Sequence, residues 1–169
     1  STGQLVASIG DRVWLDTDVD GVQGPDEPGV GGVTVRLLTP GDVVVATLTT
    51  LADGGYLFAN LDPGTYVLEF VPPADHLVTD RDAGTDDAVD SDVDPATRRT
   101  VPTRLDGGEN DVTWDLGLYQ LASLGDHVWY DADLDGVQDP DEAPVAGSTV
   151  RLFTAGGASL ASTTTDGSG

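Results

Sequence analysis

Cysteine is absent, so this 169-residue chain has no disulfides and no thiolate metal site. Lysine is absent too. The seven cationic residues are Arg12, Arg36, Arg81, Arg98, Arg99, Arg104 and Arg151, set against 30 acidic ones. A formal charge of −23 leaves no basic face for phosphates, which excludes nucleic acid as a partner, and an anionic membrane surface would repel the chain. No apolar run approaches the roughly 18 residues of a membrane span, so no membrane insertion is expected. No secretory leader is visible, and Ser1 is not an initiator methionine; a mature product or an excised piece is expected. The only histidines are His76 and His127, and no nucleophile elbow, phosphate loop or zinc spacing is present. An enzyme is therefore not expected. Sustained helical periodicity is missing as well.

What the chain does have is acidic residues at fixed spacing. Asp16-Thr17-Asp18-Val19-Asp20-Gly21-Val22-Gln23-Gly24-Pro25-Asp26-Glu27 fits the calcium-loop pattern D-x-[DN]-x-[DN]-G-x₅-E at every fixed position. Asp131-Ala132-Asp133-Leu134-Asp135-Gly136-Val137-Gln138-Asp139-Pro140-Asp141-Glu142 fits it again. Calcium is a hard cation that takes about six to eight oxygen ligands. Alternating carboxylates curl around one point, glycine permits the sharp turn, the next residue offers its carbonyl, and the last glutamate closes the cage. These roles fall to Asp16, Asp18, Asp20, Gly21, Val22 and Glu27. In the second loop they fall to Asp131, Asp133, Asp135, Gly136, Val137 and Glu142. At the ninth position Gly24 leaves a ligand to water, whereas Asp139 can bind directly.

The flanks of these loops are strand-like rather than helical. Val33-Thr34-Val35-Arg36-Leu37 and Thr65-Tyr66-Val67-Leu68-Glu69-Phe70 alternate with period two. Val43 to Thr49, Tyr56 to Phe58, Thr100 to Leu105 and Asp111 to Leu118 read as further strands, separated by Gly- and Pro-containing turns. Pro72-Pro73 closes the strand before it. The expected fold is all-β: β-sandwich repeats with calcium loops between strands.

A long acidic loop, Asp80 to Asp94, interrupts this pattern. Its carboxylates repel one another unless a cation neutralises them. Asp90-Ser91-Asp92-Val93-Asp94 repeats the alternation of the calcium loops, so Asp86, Asp87, Asp90, Asp92 and Asp94 form a candidate second metal site. The alternative is a disordered acidic loop.

After Tyr119 the chain restarts. Ala122-Ser123-Leu124-Gly125-Asp126-His127-Val128-Trp129 repeats Ala7-Ser8-Ile9-Gly10-Asp11-Arg12-Val13-Trp14, and Thr149-Val150-Arg151-Leu152 repeats Thr34-Val35-Arg36-Leu37. A period this long indicates tandem domains rather than a solenoid. The expected division is a linker at 1–6, a complete repeat at 7–121 and the N-terminal part of a second at 122–169. The second copy stops before the counterpart of Tyr56. Its strands are expected to be completed by following sequence or by another chain. His127 replaces Arg12, so the unit does not require its imidazole. His76, beside Asp75, reads as an exposed loop residue. Trp14 and Trp129 recur beside the loops, which favours packing over a sugar platform.

Gly10-Asp11-x-Val13-Trp14-x-Asp16-x-Asp18-x-Asp20-Gly21-x-Gln23 resembles the B repeats of bacterial serine-aspartate repeat surface adhesins. Asp26-Glu27-Pro28-Gly29-Val30-x-Gly32-Val33-x-Val35-x-Leu37 and Asn60-Leu61-x-Pro63-Gly64-x-Tyr66 extend the resemblance over nearly the whole chain. It implies a prealbumin- or immunoglobulin-like sandwich similar to collagen-adhesin B domains, Ca2+ as cofactor, and a stalk role in a secreted or cell-surface protein. It also links Asp90 to Asp94 with calcium. With no lysine, the Lys–Asn isopeptide of the wider collagen-adhesin class is chemically impossible here. The expected partners are neighbouring repeats, with calcium stiffening modules and joints. The rival expectation is a carbohydrate- or protein-binding module of a larger extracellular protein, although no aromatic row stands out.

Overall fold

The computed structural model describes residues 5–169, so residues 1–4 of the expected linker lie outside the described part. The chain divides into two compact units, 1–121 and 122–169. Both are all-β.

In the first unit the strands are β1 (Ala7–Leu15), β2 (Thr34–Leu38), β3 (Val44–Thr49), β4 (Gly55–Leu61), β5 (Gly64–Val71), β6 (His76–Val78), β7 (Thr103–Leu105), β8 (Asn110–Asp111) and β9 (Leu116–Gln120). They form two sheets. One runs β4-β1-β9-β6 with β8 also on β1; the other runs β3-β2-β5-β7. The period-two segments supply the packed faces. Val35 and Leu37 of β2 lie buried with Leu68 and Phe70 of β5, and antiparallel register sets Val35 opposite Phe70 and Leu37 opposite Leu68. The alternate residues face out. Arg36 lies opposite Glu69 and bonds its carboxylate at 3.0 Å, and Arg99 joins Glu69 at 2.9 Å. Ile9 and Val13 of β1 and Leu116 and Leu118 of β9 fill the core from the other sheet. Tyr56 and Phe70 meet edge to face, with ring centroids 5.6 Å apart.

β1 changes partners along its length. Its first part pairs antiparallel with β4 and parallel with β8, and Val13 to Leu15 run parallel to Leu116 to Leu118 of β9. The strand expected over Asp111 to Leu118 is therefore broken. Residues 112–115 leave the ladder, and the carbonyl of Trp114 accepts the Tyr56 hydroxyl at 2.6 Å. β6 was not expected, because three residues are too few to show a period. It corrects the reading of His76 as an exposed loop residue. His76 opens β6 opposite Gln120, its side chain is only 12% exposed, and its Nδ1 lies 2.8 Å from Asp75.

The second unit contains β10 (Thr149–Phe153) and β11 (Ser159–Thr164), an antiparallel hairpin. It matches the β2–β3 hairpin in sequence but not in environment. Val150 and Leu152 are 46% and 43% exposed, while their counterparts Val35 and Leu37 are fully buried. Residues 122–130 repeat the β1 motif without forming a strand. β1 is held by ladders on both edges, whereas among the described residues 122–130 have no ladder: they keep the Trp129–Pro144 bridge, the counterpart of Trp14–Gly29, with backbone bonds of Val128 and Tyr130 around it. A strand without ladder partners leaves its backbone groups unpaired, so propensity alone does not fix it.

Candidate metal centres

The first acidic loop leaves the end of β1 and returns along it. Asp16, Asp18 and Glu27 each bring a carboxylate oxygen within 4.8 Å of the others. Asp16 is 1% exposed. Its Oδ2 accepts from the Gly21 amide at 3.0 Å and the Thr79 hydroxyl at 2.5 Å, and its Oδ1 accepts from the Asp20 amide at 3.2 Å. Glu27 reaches back across the loop. Its Oε1 takes the Thr17 amide at 2.7 Å and its Oε2 the Gly24 amide at 2.8 Å. Val19 and Gly21 both have positive φ, the turn that lets the chain curl. Asp20 stands apart from the three, with its Oδ1 accepting the Val22 amide at 2.8 Å. Asp18 lies at the surface, yet its carboxyl is held above its ordinary value, by loss of water first and then by the charges of Asp20, Glu27 and Asp16.

The second loop repeats most of these bonds, except that the Asp135 amide donates to Asp133 where the Asp20 amide donates to Asp16. Glu142 takes the amides of Ala132 at 2.7 Å and Asp139 at 3.1 Å, Asp131 takes that of Gly136 at 3.0 Å, and Asp135 takes that of Val137 at 2.7 Å. Leu134 and Gly136 have the positive φ of Val19 and Gly21. Asp131, Asp133 and Glu142 form one carboxylate group, and Asp133, Asp135 and Asp139 form another. Asp131 Oδ1 is buried without a hydrogen-bond partner. Asp139 lies within reach of Asp133 and Asp135.

The loop from Asp80 to Asp94 gathers a different set from the one read in the sequence. Asp82, Asp90 and Asp92 come together. Asp86 instead accepts the Ala88 amide, and Asp94 accepts the amides of Ala96 and Thr97, which hold its carboxyl below its ordinary value. Asp87 lies beside the cluster, lining a small pocket with Asp82, Asp92, Arg81 and Trp114. Asp90 Oδ2 accepts the Gly84 amide at 3.2 Å, while its Oδ1 is buried with no partner. Burial raises the Asp90 carboxyl and lifts Asp92 to about 7.

One buried carboxylate lies outside the set expected from the sequence. Asp115, in the break between β8 and β9, is 1% exposed, and neither of its oxygens has a hydrogen-bond partner. Burial, then the charges of Asp11 and Asp92, raise it to about 8. An acid inside an otherwise apolar segment was the available signal.

These clusters are oxygen-only and dense in negative charge; in the third, Arg81 pairs with Asp82 at 3.1 Å at the surface, and Asp90 and Asp92 have no arginine partner among the described residues. Among the described residues no arginine pairs with Asp16, Asp18, Asp20 or Glu27. That donor set suits a hard divalent cation.

Comparison with known proteins places the chain. The family described as SdrD B-like domain matches residues 7–118 and again 122–169. Serine-aspartate repeat-containing protein F of Staphylococcus epidermidis is 37% identical over 96% of this chain, which spans 9% of that protein. Serine-aspartate repeat-containing protein D of Staphylococcus aureus (strain Newman) is 38% identical over 96% of this chain, which spans 12% of it. GBS52, the minor pilin of Streptococcus agalactiae, aligns over 72% of this chain and 48% of its own, with a TM-score of 0.47 at 11% identity. The two β-rich units, each opening on the same acidic loop, belong to the SdrD B-like domain family.

Proposed function

We propose that the chain is a calcium-stabilised structural repeat, a stalk or fibre module, of a secreted or cell-surface bacterial adhesion protein. The observation that carries this is the recurrence of one loop geometry at Asp16–Glu27 and Asp131–Glu142, with closing glutamates that tie the same backbone positions. Unpaired carboxylates crowded this closely repel, and a bound cation removes the repulsion while fixing the turns. The sites are Asp16, Asp18 and Glu27 with Asp20 and Val22 alongside, the corresponding second-loop residues with Asp139, and Asp82, Asp90 and Asp92. The role is structural rather than enzymatic, and the partners are neighbouring repeats of the same protein. β2 pairs with both β3 and β5, whereas β10 pairs only with β11 among the described residues, so a strand equivalent to β5 from another repeat or chain fits its free edge.

Thermal unfolding in calcium and in chelator tests the proposal. Extracellular calcium modules bind at about 10⁻⁴ to 10⁻³ M, and a ligand at 100 times its Kd stabilises by about 2.7 kcal/mol. The expected result is a clear rise in Tm with added calcium that disappears in an Asp16→Asn, Asp131→Asn, Asp90→Asn triple variant. An identical melt in calcium and chelator would overturn the proposal.

A further inference from the structure

The two acidic loops of the first unit are far apart in sequence and joined in space. Val22 and Asp90 form an antiparallel bridge. The Gln23 amide donates to the Val89 carbonyl at 2.6 Å, and the Ser91 amide donates to the Gly21 carbonyl at 3.3 Å. The contact is close: a Cβ on Gly21 would stand 2.5 Å from that of Ala83, at a φ of +78° that already favours glycine.

Ser91 is the centre of this junction. It lies between Asp90 and Asp92 and is fully buried. Its hydroxyl accepts the Gly117 amide at 3.3 Å, the Gly117 carbonyl accepts the Thr79 amide at 3.0 Å, and the Thr79 hydroxyl donates to Asp16 Oδ2. The Gly21 amide also donates to Asp16 Oδ2, and the Gly21 carbonyl returns the circuit to Ser91. The hydrogen bonds thus run in a closed loop from a carboxylate of one cluster to the backbone carrying the other. The second cluster has a mark of its own that points to a ligand. Asp90 is 4% exposed, and its Oδ1 has no partner within the protein. A buried carboxylate oxygen left unpaired is costly, and a cation satisfies it.

We infer that the two cation sites of the first unit are thermodynamically coupled, and that Ser91 is the positioning residue that couples them. This rests on the calcium reading above. Occupancy of Asp82, Asp90 and Asp92 fixes residues 89–91, which hold Gly21 and so the donors on Asp16. Occupancy of the first loop acts in reverse through the same bonds, as linkage requires. The pairing of residues 21–23 with 89–91 is the shared element that both sites bias. In the second unit no such contact is present among the described residues: nothing lies within 4 Å of a Cβ placed on Gly136. Its loop serves as an uncoupled reference inside the same chain.

The test is a calcium titration of the full chain followed by amide NMR. Gly21 reports the first loop, Gly84 the Asp82–Asp90–Asp92 cluster and Gly136 the reference loop. Asp82 is exposed, so Asp82→Asn weakens its own cluster without disturbing the core. In that variant the Gly21 midpoint is expected to move to higher calcium by about 5-fold or more, the lower end of typical coupling, while Gly136 stays in place. In Ser91→Ala the Gly21 and Gly84 midpoints are expected to separate, an effect that loss of stability alone would not give. A Gly21 midpoint within about twofold of the wild type in Asp82→Asn would overturn the coupling while leaving the calcium reading intact. If none of the three amides responds to calcium, both fail together.

Discussion

The backbone amide of Asp115 donates to Asp92 Oδ2 at 2.6 Å, while the carboxylate of Asp115 itself, buried beside it, has no partner. Two acids in contact, both largely withdrawn from water, resist ionisation. Burial is the main cause for each, placing Asp92 at about 7 and Asp115 at about 8.

A pH dependence follows, with a definite sign. A carboxyl raised in the folded state favours folding fully below its unfolded value of 3.8, and that benefit is lost as pH rises through the folded values of about 7 and about 8. In chelator, Tm is expected to fall between pH 5 and pH 8. The increment that calcium adds should grow over the same window, because the metal favours the ionised carboxylates. Calorimetry at fixed ionic strength checks this; a metal-free Tm that climbs with pH across this window would contradict it.

Thr79→Val keeps the shape of the side chain and removes the hydroxyl that donates to Asp16 Oδ2. Loss of one donor to a buried charged group should lower the unfolding free energy by about 1–3 kcal/mol. Urea denaturation measures that loss. Calcium titration of the same variant should show weaker binding at the first loop and, through the coupling, a smaller loss at the Asp82–Asp90–Asp92 cluster, with the loop at Asp131 unchanged.

Leu37 and Leu152 occupy the same place in the repeat, one fully buried and the other 43% exposed. Leu37→Ala should destabilise the first unit by about 2–5 kcal/mol, as core truncations do. Leu152→Ala should change stability by no more than about 0.5 kcal/mol. Equal effects in paired urea melts would show that the second hairpin is covered in solution.

Gly117 packs where a Cβ would stand 2.4 Å from Thr79 Cγ2 and 2.8 Å from Trp14 Cζ2. Gly117→Ala should therefore push Thr79 away from Asp16 and reduce both Tm and the calcium response. An alanine variant with wild-type Tm would show that Trp14 yields without cost.

The parts legible in the sequence are those encoded locally. β2 over Val35 to Leu37 and β5 over Leu68 to Phe70 alternate between turns rich in Gly and Pro, and the loops at Asp16 and Asp131 follow a position-specific code. The remainder depends on distance in the chain. Thr79 meets Asp16 across 63 residues, and no pattern in either segment announces the other. The third cluster differs from the expected set for a local reason. Asp86 and Asp94 sit close to free amides of their own turns and bond to those, leaving Asp82 to join Asp90 and Asp92. The break before β9 came from β1, whose edge is shared between β8 and β9.

The parallel pairing of β1 with β9 also bears on mechanical load. These are the first and last strands of the unit, and Val13 to Leu15 lie alongside Leu116 to Leu118. Tension applied at the two ends of the unit pulls these strands in opposite directions along their length. The hydrogen bonds between them are then loaded together, in shear, rather than opened one at a time as in a peeled hairpin. Single-molecule extension of the unit by its ends should require more force than extension through points on β2 and β3, where the antiparallel hairpin unzips.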